Sequence, residues 1–166
     1  MAAPLPVVSL GIEKQDINIL HAMCVWGESR GEPDLGRVAV AHVALNRAKR
    51  KFGGDLRKAI LQKWAFSCFN TNGLSALAIR YKLLRPTMFD TAVIWQSCYD
   101  AALTAYQGLS QDPTNGAVVY CTRTLWMRPK AALFERAKWF ELPEVACRNT
   151  KKLAVIGHHV FADTAI

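Results

Sequence analysis

The sequence predicts a mainly α-helical fold with a small β-element near its C-terminus. Three observations lead there. Apolar residues recur at helical spacing through residues 16–106, and a turn-dense Asp112-Pro113-Thr114-Asn115-Gly116 is then followed by the β-prone run Val118-Val119-Tyr120-Cys121. The 166 residues, 51% apolar and 20% charged, suffice for one hydrophobic core and leave little room for a second. A single domain over residues 1–166 is therefore expected, with residues 1–15 as an extended lead-in and residues 16–162 as the folded unit.

The first helix starts at Asp16, a side chain suited to capping, carries Ile17, Leu20, Met23 and Cys24 on one face, and ends near Glu28 before the Gly31-Glu32-Pro33 breaker. Leu35, Val38, Ala39, His42 and Leu45 share a face of the second helix, and its Lys49-Arg50-Lys51 end complements the negative pole of the helix dipole. Residues 55–63 read as a short third helix, 74–84 as a fourth and 88–106 as a longer fifth ended by Gly108. Leu153 to Ile156 and His159 to Phe161 are candidate strands to pair with residues 118–121, and a further short helix is expected around residues 130–138.

Several function classes fall away. The longest apolar run, Val38 to Leu45, is interrupted by His42 and is far shorter than the roughly 20 residues that span a bilayer. Pro4 and Pro6 break the apolar start, which has no basic residue ahead of it, so it reads poorly as a secretory signal and synthesis in the cytoplasm is expected. Cys24, Cys68, Cys98, Cys121 and Cys147 form no CxxC pair and are odd in number, which speaks against a disulfide framework or a zinc ribbon and for buried thiols. The adjacent His158 and His159 point to opposite faces of a strand, so no metal site is expected, and no cofactor. A formal charge of +8 favours a polyanionic partner, with nucleic acid, anionic lipid and bacterial cell wall all eligible.

The most informative stretch is Trp26-Gly27-Glu28-Ser29-Arg30-Gly31-Glu32-Pro33. It sets a carboxylate at the end of an apolar helix, beside a tryptophan and ahead of a sharp turn. Partial desolvation disfavours a charged carboxylate, so such a place suits a general acid. A solvated helix-end glutamate, or a partner of Arg30, is the plainer alternative. Glu32 and Asp112 are the candidate second carboxylates for managing oxocarbenium charge in glycoside cleavage. Glu32 equally fits a turn-stabilising role, and Asp112 a backbone-capping one at the head of its Asp-Pro-Thr turn.

The run from Gly27 through Leu35-Gly36-Arg37-Val38-Ala39-Val40-Ala41 to Leu45-Asn46-Arg47 closely resembles the opening of the cell-wall hydrolases typified by the spore cortex-lytic enzymes. Phe66-Ser67-Cys68, Asp112-Pro113-Thr114-Asn115-Gly116-Ala117 and Ile156-Gly157-His158-His159-Val160-Phe161 follow in the family's order. The departures are Asn115 for a second glycine, His158 for an asparagine and Ala162 for a tyrosine. The resemblance implies a lysozyme-like helical fold and cleavage of peptidoglycan glycan strands after N-acetylmuramic acid, as a muramidase or lytic transglycosylase, with Glu28 as the catalytic acid. It also implies the setting of a phage endolysin: a monomer acting on the cell wall after release across the inner membrane.

Glu28 and Glu32 are accordingly the expected catalytic residues. Ser67, Asp112, Thr114 and His159 in the matched blocks, with Trp26 and Tyr120 beside them, are the expected substrate-binding residues, the two aromatic rings being suited to stacking on sugars. The rival reading is a basic nucleic-acid-binding module without catalysis, supported by seven Lys or Arg between Arg47 and Lys63 against the single acid Asp55. The chain has no recognition-helix or stacking-sheet motif, so no specific nucleic acid is expected as partner.

Overall fold

The structure, a computed structural model, describes residues 1–63, 65–70, 74–127 and 151–163. The helix expected at residues 130–138, together with Trp64, Trp139 and Cys147, lies outside the described residues. Helix α1 (Ile17–Ser29) is the centre of the molecule, with every residue from Ile19 to Trp26 buried. A helix with no wet face can only be a core element. Asp16 caps it as expected, its side chain accepting the Asn18 N–H at 2.9 Å.

Helix α2 (Asp34–Lys51) packs beside α1 and has two working faces. Ala41, Ala44 and Ala48 join the helical core, whereas Ala39, Val40 and Val43 form a second cluster with Ala117 and Phe161 under the sheet. Small residues on both faces let α2 sit close to helices on one side and strands on the other. Helix α3 (Leu56–Leu61) is capped by the Asp55 side chain. A 3₁₀ turn at Ser67–Phe69 leads to α4 (Leu74–Leu83).

The expected single helix at residues 88–106 is two helices, α5 (Pro86–Phe89) and α6 (Ala92–Tyr106). Thr91 is the reason for the break. Its hydroxyl accepts the Ile94 N–H and starts a new helix, while Asp90 adopts extended backbone. The lead-in is not simply extended either. It contains a 3₁₀ turn at Val8–Leu10, is braced internally by Gln15 to Val7, and is tied to the body by Ala3 N–H to Gln96, by the Trp95 indole to Pro4 O and by Arg57 to Glu13 O and Gln15 O.

Strands β1 (Val119–Thr122), β2 (Lys151–Ile156) and β3 (His159–Asp163) form an antiparallel sheet in the order β1-β3-β2, and a short helix α7 (Arg123–Trp126) follows β1. Tyr120 stands opposite Phe161 and Thr122 opposite His159. The β2–β3 turn passes through Gly157, whose φ of 57° is a backbone that side-chain-bearing residues rarely adopt. Strand β2 starts at Lys151, two residues before the expected run. The architecture is mainly α with a small C-terminal sheet, as the sequence predicts. No helix among the described residues is long and apolar enough to cross a membrane.

Candidate active site

Glu28 sits in the last turn of α1, and three donors from two elements, the Ser67–Phe69 turn and β1, converge on its carboxylate. The Ser67 hydroxyl and the Cys68 backbone N–H donate to Oε1 at 2.9 Å and 2.7 Å, and the Tyr120 hydroxyl donates to Oε2 at 2.7 Å. One residue earlier, Gly27 makes this possible. A Cβ there would lie 2.7 Å from both Cβ and Sγ of Cys68 and 3.1 Å from Leu83, so only glycine lets the Ser67–Phe69 turn close on the helix. An isolated glycine inside a helical pattern is the sequence signal for such a close approach.

Burial, the Cys24 thiol and the Glu28 charge all push the Cys68 thiol up, so it stays protonated and contributes its backbone N–H rather than a nucleophile. Burial, reinforced by the same Glu28 charge, likewise raises the Tyr120 phenol and keeps it a neutral hydrogen-bonding group.

Two residues of α2 anchor the strand that carries Tyr120. Asn46 donates to the Asp112 carboxylate and to Ala117 O, and Arg47 donates to Val118 O at 3.1 Å and to Gln62. Asp112 also accepts from Thr114 N–H, Thr114 Oγ and Gly116 N–H. Burial opposes ionisation of Asp112, but these donors outweigh it and hold its carboxyl below the ordinary range. Thr114 is fully buried, and its hydroxyl in turn accepts the Ala117 N–H. Asp112 and Thr114 thus build a turn, and the expectation of Thr114 as a substrate ligand is corrected: no part of it is open to a ligand.

Glu32 is also committed. Its Oε2 accepts the His158 N–H at 2.8 Å, and its Oε1 lies 3.0 Å from His158 Nδ1. A Cβ on Gly157 would come within 2.0 Å of Oε2, so the carboxylate occupies the space that this turn leaves free. Burial raises the pKa of Glu32, but the His158 N–H and ring, with His159 nearby, bring it below the ordinary range. The glutamate clamps the β2–β3 turn. His158 is exposed, as the sequence reading has it, yet it supplies both contacts to Glu32.

His159 is 8% exposed and meets the Tyr120 ring edge-on at 5.0 Å between centroids. Burial lowers its pKa against the opposing pull of Glu32 and Glu28, and its Nδ1 is buried without a hydrogen-bond partner. Trp26 needs a correction. It is 1% exposed and lies in the core, with the Arg30 guanidinium over its ring at 4.6 Å, so it offers no face to a sugar. The structure therefore brings Glu28, Ser67, Tyr120 and His159 together, assigns Glu32, Asp112 and Thr114 to supporting turns, and buries Trp26. The Cys68 N–H, the Asn46 and Arg47 anchors and the His158 clamp are the contributions that the sequence reading missed.

Residues 31–162 match the model of the cell wall hydrolase family, a match that begins just after Glu28. Spore cortex-lytic enzymes of Bacillus cereus and Halalkalibacterium halodurans are each 33% identical, over 127 and 130 residues, covering 72% and 74% of the chain. The matched stretches span 42% and 34% of those relatives' own lengths. Among solved structures, the catalytic domain of Bacillus cereus SleB superposes with a TM-score of 0.58 at 28% identity, covering 89% of both chains. The catalytic domain of the germination-specific lytic transglycosylase SleB from Bacillus anthracis gives 0.57 at 27%, covering 89% of this chain and 93% of its own. On the family match over most of its length, and on relatives this similar, the chain belongs to the cell wall hydrolases.

Proposed function

We propose that this domain cleaves the glycan backbone of peptidoglycan after N-acetylmuramic acid, with Glu28 as proton donor and release of a 1,6-anhydro end. The observation that carries the reading is the three-donor grip on the Glu28 carboxylate. A backbone N–H can only donate, so the Cys68 contact commits Oε1 to accepting and leaves the acid proton on Oε2. The Tyr120 hydroxyl facing Oε2 has lone pairs as well as a proton, and rotation lets it serve either state of the acid.

The reaction balances within this set. Glu28 gives its proton to the glycosidic oxygen as the bond to muramic C1 breaks. The muramic C6 hydroxyl attacks C1, closes the anhydro ring and returns its proton to Glu28. Hydrolysis would need a second carboxylate free to act as base or nucleophile. Glu32 is engaged by His158 and Asp112 by four donors, which favours the intramolecular route. His159, 8% exposed beside the Tyr120 ring, is the group assigned to meet substrate next to the acid through its exposed part, its Nδ1 being buried.

Mass analysis of muropeptides released from purified sacculi tests the proposal. The expected fragments are lighter by one water than hydrolysis products and resist borohydride reduction. Reducible muramic ends alone would refute the intramolecular route, and no muropeptide release at all would refute glycan cleavage.

A further inference from the structure

We propose that the outer face of α4 together with α5 is a docking surface for a bilayer bearing anionic phospholipids. Leu77 and Tyr81, one turn apart on α4, are 66% and 46% exposed, and Met88 and Phe89 at the tip of α5 are 65% and 45% exposed. Ala76 and Leu83 face the core from the other side of α4, so the apolar ridge is the helix's second face, left uncovered among the described residues. The ridge is continuous, since the Tyr81 and Phe89 rings meet edge to face at 6.0 Å. Exposed large apolar side chains standing singly need no explanation; four gathered on one ridge do.

The chemistry around the ridge selects the occupant. The Arg85 guanidinium stands 4.1 Å over the Tyr81 ring and the Lys82 ammonium 5.4 Å over the Phe89 ring. Among the described residues, no carboxylate pairs with Lys82 or Arg85. Each cation covers one face of its ring, and the leucine and methionine offer nothing to sugar hydroxyls, so the ridge is unlike a glycan subsite. A second copy of the chain fits poorly, because a two-fold contact would set these cations against their own kind on a molecule of charge +8. Apolar tips flanked by cations on aromatic rings match a lipid interface, where the tips enter the acyl boundary and the cations meet phosphate headgroups.

Co-sedimentation with phosphatidylglycerol-containing vesicles, against pure phosphatidylcholine vesicles, tests this independently of Glu28, and Glu28→Gln protein should bind as the wild type does. Wild-type binding is expected only where the anionic lipid is present. Lys82→Glu/Arg85→Glu should weaken it about 25-fold or more, at about fivefold per cation, and Met88→Ser/Phe89→Ser on the order of tenfold or more. Both variants should keep the wild-type circular dichroism spectrum. The same-charge control Lys14→Glu/Lys49→Glu should change binding far less. Equal loss in that control would refute the surface in favour of overall charge. Undiminished binding of the two ridge variants, or a wild-type dimer that Met88→Ser/Phe89→Ser dissolves, would also overturn it.

Discussion

Gly27→Ala adds a single methyl group at the point where α1 and the Ser67–Phe69 turn touch. The new carbon would lie 2.7 Å from Cβ and Sγ of Cys68. Non-bonded carbons rest at about 3.5–4.0 Å, so the turn must retreat by roughly 1 Å. The Cys68 N–H, now 2.7 Å from Glu28 Oε1, would pass out of hydrogen-bonding range. Overpacking of this size costs about 1–3 kcal/mol, partly offset by the roughly 1 kcal/mol that alanine gains over glycine within a helix. The variant therefore folds, while displacement of the acid's support lowers the cleavage rate on the order of 100-fold. The assay is the initial rate of muropeptide release from purified sacculi at equal folded fraction. Gly27→Ala/Cys68→Gly removes both clashing atoms but keeps the N–H, and should recover most of the lost rate. A Gly27→Ala protein as active as wild type, or a double variant with no recovery, would refute the link between Gly27 and the acid.

Glu32→Gln should act on stability before chemistry: it places an amide against the His158 donors and should cost about 1–3 kcal/mol in denaturant unfolding while leaving the residual rate per folded molecule nearly intact. Because the Glu32 carboxyl is held below the ordinary range, its contribution is present at neutral pH and is lost only as pH falls through that lowered value. His21 gives the opposite protonation problem. It is fully buried, its Nε2 lies 3.1 Å from Ala41 O, and burial pushes its pKa down to about 4. The unfolded chain binds that proton near pH 6.5 and the folded one does not, so stability should fall by about 3 kcal/mol between pH 6.5 and 4. Unfolding midpoints across that window should show the slope, and His21→Met should reduce it, leaving the smaller share of His42 and His159, whose pKa values burial also lowers.

Local rules made much of the fold legible. Asp16 and Asp55 cap the helices that their positions announce, and Gly108 ends α6. The same rules also explain a miss, since Thr91 before Ala92 is a helix start that the longer apolar pattern hid. Glu28 and Tyr120 stand in recognisable surroundings, but their meeting depends on sheet register and on the Asn46 and Arg47 anchors, which join residues 66 to 71 positions apart. Glu32 and His158 are 126 positions apart, and no spacing rule pairs them. Trp26 misleads because its ring lies inside a helix buried on all sides, a fact set by neighbours rather than by its own sequence.

The most direct test of the central claim is muropeptide release by Glu28→Gln at matched thermal stability. Glutamine keeps the size of the side chain and an oxygen for Ser67 and the Cys68 N–H, but it cannot give up an acid proton. The rate should fall on the order of 100-fold to 10,000-fold with folding unharmed. A well-folded Glu28→Gln protein that still releases muropeptides at the wild-type rate would contradict the assignment of Glu28 as the acid.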